Sequence, residues 1–143
     1  MDGVMIAYAS IYGNTKKAAE LLYDKLKAKG VDVMITDLAR CDMSKAISDA
    51  FAYGKLVLAT PTYNADVFPF MRTFIEGLTE RNYQKRTVAF IENGAWAPMA
   101  AKVMAGMFEK SKELNILDKT VKITCALNDG SVAQVDELAE ELA

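Results

Sequence analysis

Histidine is absent from this sequence of 143 residues. Histidine is the commonest general base in enzymes and the commonest side-chain ligand of transition metals. Its absence argues against a Ser-His-Asp or Cys-His hydrolase and against a histidine-ligated metal site. We therefore expect no catalytic side chain and no metal site, and we expect a bound organic cofactor to supply any reactivity.

Cysteine is scarce, and long apolar runs and basic runs are missing. The two cysteines, Cys41 and Cys125, have no metal-like spacing, so we expect both to be small buried side chains. No apolar stretch approaches the roughly 18 to 20 residues that cross a bilayer, and the N-terminus lacks a signal-peptide pattern. With a formal net charge of -2 and no basic arm, we expect a cytoplasmic protein that binds neither nucleic acid nor membrane.

Short apolar runs alternate along the chain with longer segments of helical period, as in one α/β domain over residues 1–143. The pattern predicts strands at 4–9, 31–38, 56–60, 87–92 and 120–127 and helices at 14–29, 44–53, 68–78, 98–114 and 131–142. Strands that are apolar on both faces and separated by helices need a parallel sheet covered on both sides. Ligands of such doubly wound sheets lie outside the carboxyl ends of the strands.

The loop after the first predicted strand is rich in hydrogen-bond donors and leads into a helix. It consists of Ser10, Ile11, Tyr12, Gly13, Asn14 and Thr15. Free backbone N–H groups and the helix dipole at a helix start can bind a phosphate without lysine or arginine. The dinucleotide pattern G-x-G-x-x-G and the pattern G-x-x-x-x-G-K-[ST] are both missing. A simple turn with a helix cap is the alternative interpretation of this loop.

Two further loops are predicted at the same edge of the sheet. After the third predicted strand come Thr60, Pro61, Thr62, Tyr63 and Asn64, which we interpret as a turn that starts at the proline. After the fourth come Asn93, Gly94, Ala95 and Trp96. The single tryptophan of the chain can stack on a flat heterocycle here, or it can fold back over the fourth predicted helix.

At these residues the sequence resembles the flavodoxin family and, more narrowly, the flavodoxin-like domain of flavodiiron proteins, also called A-type flavoproteins. The resemblance implies a three-layer αβα sandwich with a five-stranded parallel sheet in the order 2-1-3-4-5, and one FMN as cofactor. By position it implies that residues 10–15 wrap the FMN phosphate, that 60–64 line the ring and ribityl chain, and that 93–96 cover the ring. Glu92, Ala95 and Ala97-Pro98 depart from that family's glycine-rich third loop.

The resemblance also implies an electron carrier that works with a redox partner protein or with a di-iron domain, whose histidine ligands this chain lacks. A flavin-free interaction module and an NAD(P)H-dependent FMN or quinone reductase remain as alternatives. A phospho-acceptor receiver domain is disfavoured, because Thr60 and Ser10 stand where it needs acidic residues. We expect Glu92, Asp66 and Asp129 near the ligand edge, either as solvated carboxylates, which we favour, or as charges that lower the flavin's potential.

Overall fold

The computed structural model describes most of the chain. The described residues are 3–9, 13–63, 66–67, 69–93, 100–109, 111–117, 120–123 and 129–143. The side chains of residues 62, 63, 66 and 67 lie outside that description.

A mostly parallel sheet forms the centre of the fold. Its strands are β1 (Val4–Tyr8), β2 (Val33–Asp37), β3 (Lys55–Tyr63), β4 (Asp66–Val67), β5 (Thr87–Asn93), β6 (Asn115–Ile116) and β7 (Val121–Ile123). The order across the sheet is β2, β1, β3, β5, and both β6 and β7 pair in parallel with β5. The predicted order 2-1-3-4-5 is therefore confirmed, with β7 in the fifth position and the short β6 as an additional strand.

Five helices cover the two faces of this sheet. They are α1 (Asn14–Ala28), α2 (Met43–Ala52), α3 (Pro69–Glu80), α4 (Ala100–Met107) and α5 (Asp129–Leu142). Side chains alternate between the faces of each strand. In β5, Val88 and Phe90 join the core under α2, α3 and α4, whereas Ala89 and Ile91 join the core under α1 and α5. The doubly wound α/β class follows from this burial on both sides.

The third strand is longer than the sequence predicts. We expected a turn from Pro61 onward, but β3 continues to Tyr63 and folds back on the antiparallel strand β4. β1 ends at Tyr8, which lies opposite Ala59. Pro61 therefore lies beyond the part of β3 that pairs with β1, and its missing N–H costs no hydrogen bond to β1. Pairing with β5 on the other side carries the strand onward, with Pro61 opposite Asn93.

The fourth predicted helix is shorter than its pattern suggests. We expected it to reach residue 114, but α4 ends at Met107. The N–H groups of Phe108 and Glu109 donate to carbonyls three residues back, at 3.2 Å each. These are 3₁₀-type hydrogen bonds, and they end the α-helix. The N–H of Asn115 then donates to the Arg86 carbonyl at 2.9 Å and starts β6. Hydrophobic periodicity cannot report this turn, because Phe108 stays buried in the core.

Tyr83 is fully buried, and its hydroxyl has no hydrogen-bond partner among the described residues. Its ring meets Phe51 edge-on at 5.2 Å between centroids, and the Arg86 guanidinium lies 5.2 Å from the centre of the Tyr83 ring. Burial raises the pKa of this phenol. The ring therefore contributes packing, while the hydroxyl loses its hydration without gaining a partner.

We expect Tyr83→Phe to leave the free energy of unfolding unchanged or to raise it by up to about 1 kcal/mol, since it removes only an unpaired buried hydroxyl. Urea unfolding at neutral pH measures this, with Tyr23→Phe on the partly exposed face of α1 as the control. A loss of more than roughly 1 kcal/mol would show that the hydroxyl has a partner that stabilises the fold.

Candidate functional site

Three strands of the sheet end side by side. Tyr8 at the end of β1 lies opposite Ala59 of β3, and Thr60 and Pro61 lie opposite Glu92 and Asn93 of β5. The N–H of Ala9 extends this pairing by donating to the Ala59 carbonyl at 3.0 Å. The chain segments that follow β1, β3 and β5 therefore open at one edge of the sheet, as the sequence predicts.

Helix α1 begins at this edge without a capping side chain. Its N-cap is Gly13, with φ 88°, whereas the N-cap of α2 is Asp42, whose carboxylate accepts from the Ser44 N–H at 3.0 Å. Positive φ strains any residue with a Cβ, which explains the glycine. The N-cap thus gives the first-turn N–H groups of α1 no side-chain acceptor. A helix start of this kind, with no acidic residue in its first turn, suits an anion.

The second contact of the site joins α1 to β5. Thr15 is 1% exposed, and its hydroxyl oxygen accepts from the Asn93 side-chain amide at 3.5 Å, the outer limit of a hydrogen bond. Asn93 is half-buried at the end of β5. The structure thus brings together two of the predicted site residues from loops that are 78 positions apart in the sequence.

Thr60 takes no part in that contact. Its side chain is fully buried, and its hydroxyl donates to the Pro61 carbonyl at 3.2 Å. Pro61 is half-buried beside it. Thr60 therefore belongs to the wall beneath the edge, and its role in binding a cofactor stays a prediction.

Several predicted site residues cannot be placed. Ser10, Ile11, Tyr12, Asn64, Gly94, Ala95 and Trp96 lie outside the described residues, as does the second cysteine, Cys125. For Thr62 and Tyr63 the structure gives the strand but not the side chains. Their binding roles stay predictions.

Glu92 is the residue of this edge that the sequence interpretation placed wrongly. It lies in the predicted strand, but it is a buried carboxylate and not a solvated one, with 2% exposure. Its Oε2 accepts from the Ala101 N–H at 2.7 Å, in the first turn of α4. Glu92 therefore caps α4 from the neighbouring strand and ties together the two ends of segment 94–99. The sequence carried a signal for this burial. Side chains alternate between the two faces of a strand, so Glu92 lies on the same face as Phe90.

The other two carboxylates of the expected group differ from Glu92. Asp129 is exposed as the first residue of α5. Asp66 lies in β4, at the same edge, and its side chain is outside the description. Glu92 is thus the member of the group that the structure shows to be buried.

Tyr8 closes the side of the edge next to β2. Burial raises the pKa of its phenol, and the carboxylate of Asp37, its partner in the parallel register, adds to the rise through charge and a hydrogen bond. The phenol therefore stays protonated at neutral pH and donates to Asp37.

We expect Glu92→Ala to lower the free energy of unfolding by about 1 to 3 kcal/mol, because the first-turn N–H of α4 would lose its buried acceptor. Glu92→Gln keeps one acceptor oxygen and should lose less. Urea unfolding of the apoprotein measures both, with Glu109→Ala, an exposed glutamate after α4, as the control. Equal stability of the Glu92→Ala protein would contradict the capping role.

The family model for flavodoxin matches residues 6–127 of the chain. The chain belongs to the flavodoxin family. Among curated relatives, an uncharacterized protein of Methanocaldococcus jannaschii is 30% identical over 97% of the chain and 36% of its own length. Rubredoxin-oxygen oxidoreductase of Megalodesulfovibrio gigas is 29% identical over 71% of the chain and 25% of its own length. Nitric oxide reductase of Moorella thermoacetica is 28% identical over 76% of the chain and 27% of its own length.

Solved structures agree on the flavodoxin-like fold. The rubredoxin oxygen:oxidoreductase of Desulfovibrio gigas superposes with a TM-score of 0.92, at 19% identity, over 99% of this chain and 35% of its own. The flavodiiron protein of Giardia intestinalis gives 0.89 at 16% identity, again over 99% and 35%. A flavodoxin from the domain Archaea gives 0.83 at 19% identity, over 99% and 96%.

This flavodoxin-family chain spans about a third or less of the length of the curated relatives it matches. It therefore corresponds to one part of those proteins, and to nearly the whole of the archaeal flavodoxin. Within the described residues, no helix combines the length and the apolar character needed to cross a membrane.

Proposed function

We propose that this flavodoxin-family domain binds one FMN at the carboxyl edge of its sheet and passes electrons through it. The observation that carries the proposal is the meeting of α1 and β5 at that edge. The start of α1 has Gly13 in place of a capping side chain, and the Thr15–Asn93 contact fixes it beside the end of β5. Flavodoxin and flavodiiron structures of the same fold support the choice of cofactor.

The described residues fit an FMN phosphate. The first turn of α1 directs backbone N–H groups toward the edge, where the helix dipole favours an anion. Gly13 allows the positive φ with which the chain enters this helix, and a Cβ built on it meets none of the described atoms within 4 Å. Residues 10–15 would hold the phosphate, and the buried Thr15 would fix the helix that does so.

The isoalloxazine ring would lie between the segment that follows β3 and segment 94–99. Pro61, within the last residues of β3, stands opposite Asn93, the last residue of β5. FMN, when bound, supplies one- and two-electron redox chemistry, which the side chains of this site lack. The protein's contribution is to bind and orient the ring, to exclude water from one side of it, and to set the charge around it.

The names of two relatives support a more specific role for the domain, in flavodiiron-type electron transfer. Two relatives are named for oxygen or nitric oxide chemistry, and this chain matches only part of each. The domain would receive electrons from a redox partner protein and pass them on, to a di-iron domain or to another acceptor, in the cytoplasm. The absence of histidine leaves that second step to another chain or domain.

The test of FMN binding is a titration of the apoprotein with FMN, followed by flavin absorbance and by flavin and tryptophan fluorescence. We expect one FMN per chain with strong quenching of both signals. No binding at micromolar FMN would contradict the proposal and favour the flavin-free interaction module.

Two matched variants locate the phosphate. Gly13 and Gly30 lie at opposite ends of α1, both at positive φ, and a Cβ on either meets no described atom within 4 Å. Gly13→Asp places a carboxylate at the phosphate site, so FMN affinity should fall at least about tenfold, or ~1.4 kcal/mol. Gly30→Asp should leave the affinity unchanged, because it lies at the opposite edge. Equal losses in both would mean that the phosphate does not bind at the start of α1.

Neutralising Glu92 should raise the midpoint potential of bound FMN. Glu92→Gln removes a buried negative charge near the ring. Without that charge the reduced flavin, which is more negative than the oxidised flavin, becomes more stable. We expect a rise of about 30 mV or more, equivalent to ~1.4 kcal/mol for two electrons. Spectroelectrochemical titration measures the midpoint potential. Asp129→Asn, which neutralises an exposed carboxylate, is the control and should give a smaller shift. An unchanged or lower midpoint would rule out this electrostatic role.

A further inference from the structure

A cavity of about 460 Å³ opens between the last turns of α3 and α4. Thr79 of α3 and Met107 of α4 line it from the two helices, and Gln84 lines it from the segment that leads into β5. The helices run antiparallel to the strands, so their ends lie at the amino-terminal edge of the sheet. The cavity is therefore at the opposite edge from the proposed FMN site, and its volume is within the range of small-molecule sites, roughly 300 to 1,000 Å³.

Tyr83 forms the inner wall of this cavity. It is fully buried, whereas the other lining residues are half-buried or exposed. Its hydroxyl is the buried side-chain polar atom that has no hydrogen-bond partner among the described residues. Because burial raises the pKa of this phenol, the hydroxyl stays protonated and is available as a donor. A buried donor without an acceptor is unfavourable, and an oxygen atom of a ligand in the cavity would supply that acceptor.

The end of α3 places an amide side chain next to Tyr83. The N–H of Tyr83 donates to the Leu78 carbonyl at 3.1 Å, and the N–H of Asn82 donates to the Thr79 carbonyl at 3.2 Å. Together with φ 59° at Asn82, these two bonds form a Schellman motif. Asn82 takes the left-handed position in which glycine is the usual residue. Glycine would serve the backbone equally well, so the amide of Asn82 is a feature of the cavity and not a requirement of the helix end.

The remaining walls carry groups that form hydrogen bonds in both directions. Ser111 supplies a hydroxyl, and Asn82 and Gln84 supply amides. Thr79 supplies a hydroxyl that donates to the Glu76 carbonyl at 3.1 Å, which leaves its oxygen as an acceptor. A ligand with several hydroxyl groups matches this lining, because each of its hydroxyls also donates and accepts.

The charges around the cavity favour a neutral ligand. Lys112 is the charged side chain among the described residues that line it. The ends of α3 and α4 add partial negative charge, because the carbonyl end of a helix dipole is negative. The two helix ends oppose an anion, and Lys112 opposes a cation.

We propose that this cavity binds a small neutral polyhydroxy molecule, of the monosaccharide or cyclitol class, one of whose oxygens accepts a hydrogen bond from Tyr83. Met107, half-buried at the end of α4, would pack against the carbon face of such a ring. The site lies at the opposite edge of the sheet from the proposed FMN site and does not depend on FMN binding.

The test is an NMR titration of the isotope-labelled protein, without FMN, with D-glucose and with myo-inositol. We expect saturable shifts of the Asn82, Gln84 and Ser111 backbone amides with at least one of these probes, at a Kd of about 1 mM or below. D-Glucuronate and D-glucosamine, which carry opposite charges, should both bind less tightly than D-glucose. The FMN-loaded protein should give the same Kd values as the protein without FMN.

Two variants test the contacts and spare the fold. Tyr83→Phe removes the donor, so the affinity for the probe should fall at least about tenfold, whereas the free energy of unfolding should not fall. Asn82→Gly keeps the left-handed helix end and removes the amide, so the affinity should fall about threefold or more. Tyr23→Phe, on the partly exposed face of α1, should leave the affinity unchanged.

Each contrary result would overturn a stated part of the proposal. The absence of saturable shifts with both probes would leave ordered water as the occupant of the cavity. Equal affinity of the Tyr83→Phe protein would show that the hydroxyl does not bind the ligand. Tighter binding of D-glucuronate than of D-glucose would overturn the neutral class. Binding of D-glucose by a protein that fails to bind FMN would overturn only the function proposed above.

Discussion

Parallel pairing of β1, β3 and β5 is the constraint on which the rest of this molecule depends. Because the three strands run the same way, their carboxyl ends and the starts of the helices that follow them meet at one edge. Both faces of the sheet are then covered by helices. The FMN site that we propose lies among the loops and first helical turns at the carboxyl edge.

The polar groups at this edge are used to hold backbone in place. Asn93 reaches Thr15, Glu92 reaches Ala101, and Thr60 bonds to its own neighbour's carbonyl. The first contact joins residues 78 positions apart and the second spans segment 94–99, so the ends of these loops are positioned before any ligand arrives. A site whose walls are fixed in this way loses less conformational entropy on binding than one built from free loops.

The sequence predicts the architecture well because burial on both faces leaves a continuous apolar run in the central strands β1, β3 and β5. Continuous apolar runs, helical periodicity and the glycines at 13 and 30 locate β1, α1 and the edge. The end of α4 and the strand β6 escape prediction, since Phe108 is buried whether the chain there is helical or not. The two-residue β6 exists through pairing with β5, which no local pattern reports.

Side-chain roles at the edge are less predictable, because they depend on which partner lies within reach. A glutamate is usually a surface residue, yet Glu92 is buried, where it accepts a hydrogen bond from the Ala101 N–H at the start of α4. The carboxylate also complements the dipole of α4, the helix that it caps, so both the hydrogen bond and the dipole favour its buried position.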